Sequence, residues 1–118
     1  MKGVLLFGHG SRDPAWRQPI EAVAARIAAR PGAPVVRCAY LELCEPDFDS
    51  ACAELVGLGV TELRVLPMFL GMGRHAREDL PALVHALQER CPQLSIAVLP
   101  PVGEHPSALD LFADIAAL

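Results

Sequence analysis

Lysine is almost missing from this chain: it occurs once, at Lys2, and basic residues nowhere form a run. Ten Lys and Arg stand against fourteen Asp and Glu, a net charge of −4, which makes nucleic acid or an anionic membrane surface a poor partner. Long apolar runs are lacking as well. No stretch approaches the roughly 18 apolar residues of a membrane span. The apolar start, Val4 to Phe7, runs into Gly8 and His9 without a small-residue cleavage site, so no signal peptide is expected and the chain reads as cytoplasmic. The four cysteines, Cys38, Cys44, Cys52 and Cys91, form no CxxC pair and no zinc-finger spacing. They read as reduced thiols, Cys38 in the core and Cys44 in a loop where a soft metal ligand is conceivable.

What the chain does have is apolar content. With 53% hydrophobic and 20% charged residues over 118 positions, one compact domain covering residues 1–118 is expected, with a core large enough to exclude disorder. Gly3–Gly8, Val35–Leu41, Glu62–Leu66 and Ser95–Leu99 are apolar, partly β-branched runs of strand length. Helical spacing fills the gaps. Trp16, Ile20, Val23, Ala24 and Ile27 share a face, with Asp13 as N-cap, Pro14 at the first position and Pro19 delaying the regular helix. Further helices are expected over Phe48–Leu58, His75–Arg90 and Pro106–Leu118, the last with Leu109, Phe112, Ala113 and Ala116 on one stripe. The order βαβαβαβα predicts an α/β fold, an open parallel four-stranded sheet between two helical layers. Arg37 is best tolerated on an edge strand, which favours strand order 2-1-3-4.

In such sheets ligands bind beyond the carboxyl ends of the strands. After the first run come Gly8, His9, Gly10, Ser11 and Arg12; after the second, Glu42 and Glu45. The third is followed by Arg74, His75, Arg77, Glu78 and Asp79, and the fourth by Glu104 and His105. The glycines beside His9 allow a sharp turn and close approach of a ligand to the backbone. Plainer readings exist for each residue. His9 and Glu42 could be solvated loop groups, and His75 a capping or exposed residue at a helix start. His85 reads as surface or core, His105 as turn and cap, and isolated arginines as solvated. Convergence of His9, His75 and Glu42 on one rim, with Arg12, Arg74 and Arg77 nearby, favours a site.

The segments LLFGHGSRDP, AYLELCEPDF, LPMFLGMGRHAREDLP and LPPVGEHP, in this order, resemble the short form of the CbiX/SirB-type sirohydrochlorin chelatases over essentially the whole chain. The resemblance implies a class II chelatase fold and insertion of cobalt or iron into the tetrapyrrole sirohydrochlorin, in cobalamin or siroheme biosynthesis. It makes His9 and His75 the active-site histidines, with Glu42 as the nearby acid, all three as metal ligands and catalytic groups. It also implies a homodimer. The apolar residues that follow the third strand, Met68, Phe69, Leu70 and Met72, are candidates for the shared surface if they are not buried within the monomer.

The chemistry suits these residues. A divalent metal (cobalt or iron, with nickel also to be tested) must be held loosely as a substrate, and two pyrrole protons must leave. No permanently bound cofactor is expected. Neutral imidazole is a borderline ligand whose ordinary pKa of roughly 6.5 also lets it accept protons near neutrality, and a carboxylate can do either. Sirohydrochlorin carries many carboxylates, so Ser11, Arg12, Arg74 and Arg77 are the expected substrate-binding groups, helped by main-chain N–H groups of the helix after Ser11. Two rivals stand beside this reading. A histidine phosphatase would need Arg where Gly8 stands. A non-catalytic metal carrier or tetrapyrrole-binding module would use the same histidines without turnover.

Overall fold

The computed structural model describes residues 1–118. Its strands are β1 (Lys2–Gly8), β2 (Val35–Tyr40), β3 (Glu62–Pro67) and β4 (Ser95–Val98). The helices are α1 (Gln18–Ala28), α2 (Phe48–Gly57), α3 (Arg74–Arg90) and α4 (Pro106–Ala117), with 3-10 turns at Pro14–Arg17 and Val102–Glu104. All strand pairs are parallel, in the order β2-β1-β3-β4. Leu5 therefore sits between Arg37 of β2 and Val65 of β3.

Alternation along the strands divides the core into two clusters, one on each face. Leu5, Phe7, Leu63 and Val65 point to the larger one, where they meet Phe48, Ala51, Cys52 and Leu55 of α2 and Leu80 and Leu87 of α3. Leu6 and Tyr40 point the other way onto Ile20 of α1, with Val23, Ala24 and Ile27 packed beside it. Burial pushes the Cys52 thiol up to about 12, with Asp49 adding to the shift. Cys38 is half-buried beside the smaller cluster, and its thiol is raised mainly by burial.

Local chemistry explains the boundaries. The Asp13 carboxylate accepts from Ala15 N at 2.9 Å and opens the 3-10 turn at Pro14. Pro19 then falls in the first turn of α1, where no donor is needed. Asp47 caps α2 by accepting from Ser50 N at 2.8 Å, and this bond holds its carboxyl below the ordinary value of 3.8. Arg37 does lie on the edge strand, where its Nε meets Glu54 Oε1 at 2.9 Å and an Nη1 donates to Val36 O. One element departs from expectation. The helix foreseen over Pro106–Leu118 forms as α4, yet none of its residues is buried.

Candidate functional site

The rim at the carboxyl ends is assembled by hydrogen bonds that continue the ladders past the strands. Leu41 N donates to Gly8 O at 2.9 Å, and Glu42 N donates to His9 O at 3.1 Å. This stitch sets His9 and Glu42 side by side, and His9 Nε2 lies 3.3 Å from Glu42 Oε1, with both side chains about half exposed (49% and 56%). Gly10 makes the approach possible. Its φ is +105°, and a Cβ there would strike the Glu42 carbonyl. Beyond Glu42 the chain turns through Leu43, which adopts φ 70° and leaves its side chain half exposed.

The neighbouring β3 loop is held the same way. Met68 N donates to Phe7 O at 2.7 Å, Gly103 N donates to Phe69 O at 3.0 Å, and the backbone of Leu70 fills the space where a Gly103 side chain would stand. Phe69 consequently packs edge-on against His9, with ring centroids 6.3 Å apart at 77°, and against Phe7 on its other side. Of the four residues considered for a shared surface, Met68 joins the smaller core cluster and Phe69 and Met72 the larger one. Only Leu70 is left open, at 72% exposure.

His75 stands in the first turn of α3 with its side chain 91% exposed and Nδ1 4.0 Å from Asp79 Oδ2. It comes after β3, the strand adjacent to β1, so His9 and His75 rise from neighbouring loops. The structure does not draw His75 into the His9–Glu42 pair, and no group of three His, Cys, Asp or Glu side chains gathers around one point. Arg74 is exposed and pairs with Glu78 at 3.2 Å. Arg12 is exposed, and Arg77 borders a groove of about 720 Å³ between α3 and the end of β4.

The remaining polar groups singled out in the sequence have other partners. Ser11 Oγ accepts from Asp13 N at 3.1 Å, and the next element is a short 3-10 turn whose leading Ala15 N–H is already taken by Asp13, so no free helix N-terminus faces a ligand. His105 sits at the N-cap position of α4 without capping it; its Nε2 is 3.0 Å from Pro100 O instead. His85 is a surface residue paired with Glu89 at 3.1 Å. Cys44 packs against the smaller core cluster. Two neighbours of the pair, Leu43 and Phe69, were not foreseen as part of the rim: nothing about a leucine announces a positive φ, and Phe69 was considered only for a surface shared between copies or for the core.

Chemically, the pair offers one nitrogen and one oxygen donor. Divalent first-row ions take such ligands at about 2.0–2.2 Å, so adjacent donors around one ion lie roughly 3.0–3.4 Å apart. The 3.3 Å between His9 Nε2 and Glu42 Oε1 fits that spacing without movement. Two protein ligands leave most of the coordination shell open to an incoming ligand.

The CbiX family model matches residues 3–117. The sirohydrochlorin cobaltochelatase of Methanosarcina acetivorans is 34% identical over 94 residues, 80% of this chain and 72% of that protein. A cobalamin (vitamin B12) biosynthesis CbiX protein from Marinobacter aquaeolei superposes with a TM-score of 0.83 at 30% identity, covering 99% of this chain and 95% of the other. The sirohydrochlorin chelatase SirB of Bacillus subtilis subspecies spizizenii, solved in complex with cobalt, gives a TM-score of 0.81 at 27% identity; there the match covers 99% of this chain but 50% of SirB.

Proposed function

Because the chain belongs to the CbiX family, we propose that it inserts a divalent metal ion, cobalt or iron, into sirohydrochlorin or a closely related tetrapyrrole. The observation that carries this reading is the His9–Glu42 pair, whose 3.3 Å separation suits two ligands of one loosely held ion. The pair presents the metal substrate with open positions toward the macrocycle. Each pyrrole N–H gives up its proton as a metal–nitrogen bond forms, and the imidazole and carboxylate released from the departing metal are the acceptors. His75, on the neighbouring loop and fully available to solvent, serves as a second base and ligand once substrate spans the rim.

Substrate recognition divides between charge and shape. Arg12 and Arg74 bind the macrocycle's carboxylates, with the Arg74–Glu78 pair opening readily because it is exposed. Ser11, whose oxygen already accepts from Asp13 N, has its hydroxyl proton left to donate to a carboxylate. Leu43 and Leu70, exposed on the loops after β2 and β3, offer apolar surface to the face of the ring. A wide flat ligand needs two walls, and this chain supplies one. SirB is about twice as long for the same fold unit, so a homodimer of this chain is the simplest equivalent. A cytoplasmic location agrees with the absence of any helix long and apolar enough to cross a membrane.

The test is spectrophotometric. Purified protein, sirohydrochlorin and cobalt, iron or nickel should give the metallated spectrum at a rate proportional to protein concentration, over many turnovers. Binding of metal or tetrapyrrole without turnover would establish the carrier reading in its place.

A further inference from the structure

A ligating imidazole holds an ion well only if its own ring is held. In most metal sites the second ring nitrogen does this by donating to a carboxylate or a carbonyl. His9 lacks that arrangement. Its Nε2 faces Glu42 at 3.3 Å, while Nδ1 meets no acceptor of the chain. Gly8 and Gly10 on either side have no side chains to brace the ring, and the His9 side chain is 49% exposed.

What does touch the imidazole is the Phe69 ring, with centroids 6.3 Å apart and planes at 77°. Edge-to-face contact has a preferred geometry, so it can set the plane of a ring. Phe69 is itself anchored in the interior. Its ring meets Phe7 at 6.3 Å and 79°, and Phe7 meets Phe48 of α2 at 5.8 Å and 90°. Phe7 is fully buried and Phe48 nearly so. The backbone is pinned as well, by Gly103 N donating to Phe69 O at 3.0 Å. An unbroken file of rings thus runs from the core to the imidazole. We infer that Phe69 is a positioning residue, which aims His9 Nε2 at the ion shared with Glu42 by packing instead of by a hydrogen bond. Such a hold suits a metal that is cargo, because the ring can follow the departing ion with no hydrogen bond to break. The inference deepens the chelatase reading and rests on His9 as a metal ligand.

The test compares Phe69→Leu, which stays apolar but loses the ring, with Phe69→Tyr, which keeps it. In the metal-free protein the His9 ring-proton resonances, identified by their loss in His9→Ala, should shift in Phe69→Leu and hold their place in Phe69→Tyr. The Kd and the KM for cobalt should rise about tenfold in Phe69→Leu, the low end of what losing a hydrogen-bonded outer partner costs. Both should return to near wild type in Phe69→Tyr. The KM for sirohydrochlorin should stay unchanged, whereas general loosening of the β3 loop would raise it through Leu70. Val56→Ala, which trims the same core cluster at the far end of α2, should lower stability without moving any of these constants. Should Phe69→Leu fail to fold, Phe69→Met, a flexible filler, takes its place. In a His9→Ala background, Phe69→Leu should cost no further cobalt affinity. Unmoved His9 resonances, unmoved cobalt affinity, a raised KM for sirohydrochlorin, equal losses in the leucine and tyrosine variants, or a further loss without His9 would each overturn the inference. Cobalt binding that survives His9→Ala intact sinks the metal-ligand reading instead, which is a separate result from these.

Discussion

His9 Nε2 lies 3.3 Å from Glu42 Oε1 although 33 positions separate the two residues, and the backbone bonds Leu41 N to Gly8 O and Glu42 N to His9 O hold them there. The pair is thus an extension of the β1–β2 ladder, and its rigidity comes from the sheet. Glu42→Gln keeps the shape and removes the charge. Cobalt affinity measured by calorimetry should fall by about tenfold or more, as expected when a hard anionic ligand becomes a neutral one. An unchanged affinity would place the metal elsewhere.

Gly10→Ala tests the stitch directly. The substitution forces alanine to φ +105° and drives its Cβ into the Glu42 carbonyl. A cost of ~1–3 kcal/mol in urea unfolding is expected, together with weakened metal binding, because the loop can relieve the clash only by moving Glu42 away from His9. Full stability and full affinity in this variant would mean that the close approach is not needed.

Leu43→Gly should behave in the opposite way. Glycine adopts φ 70° at no steric cost, so relief of backbone strain offsets the greater freedom of the unfolded chain, and stability should stay within about 1 kcal/mol of wild type. Tetrapyrrole affinity, followed by absorbance titration, should fall because an exposed apolar contact is lost. If affinity holds, the ring does not rest on this loop.

Much of the fold could be read from residue order. Short apolar, partly β-branched runs marked the strands, helical stripes marked the helices between them, and a single charge, Arg37, pointed to β2 as an edge. The rim was legible in part for the same reason, since topology alone sends His9, Glu42 and His75 to one end of the sheet. What sequence could not supply was pairing between distant backbones. The Gly8–Leu41 and Phe69–Gly103 hydrogen bonds decide which side chains touch, and they carry no local signature. α4 was legible as a helix, but none of its residues is buried, and periodicity does not say whether the same chain covers an apolar face.

Acid should act on the α2 cap. Asp47 titrates below its ordinary 3.8 in the folded state because it accepts from Ser50 N. Its contribution is therefore fully present above about pH 4 and fades as pH falls through the folded value. Asp47→Ala should cost ~1 kcal/mol at pH 7, and the gap from wild type should narrow steadily below pH 4. A gap independent of pH would show that the carboxylate charge plays no part in the cap.

The central claim is that this chain moves a divalent ion from the His9–Glu42 pair into a tetrapyrrole. The most direct measurement is the steady-state rate of cobalt insertion into sirohydrochlorin by wild type and by His9→Ala at equal protein concentration, with circular dichroism confirming both folds. The account predicts multiple turnovers for wild type and a loss of about two to four orders of magnitude in kcat/KM for the variant, the range expected when a positioned ligand and proton acceptor is removed. Equal rates in the two proteins, or no turnover in wild type despite tight cobalt binding, would contradict it.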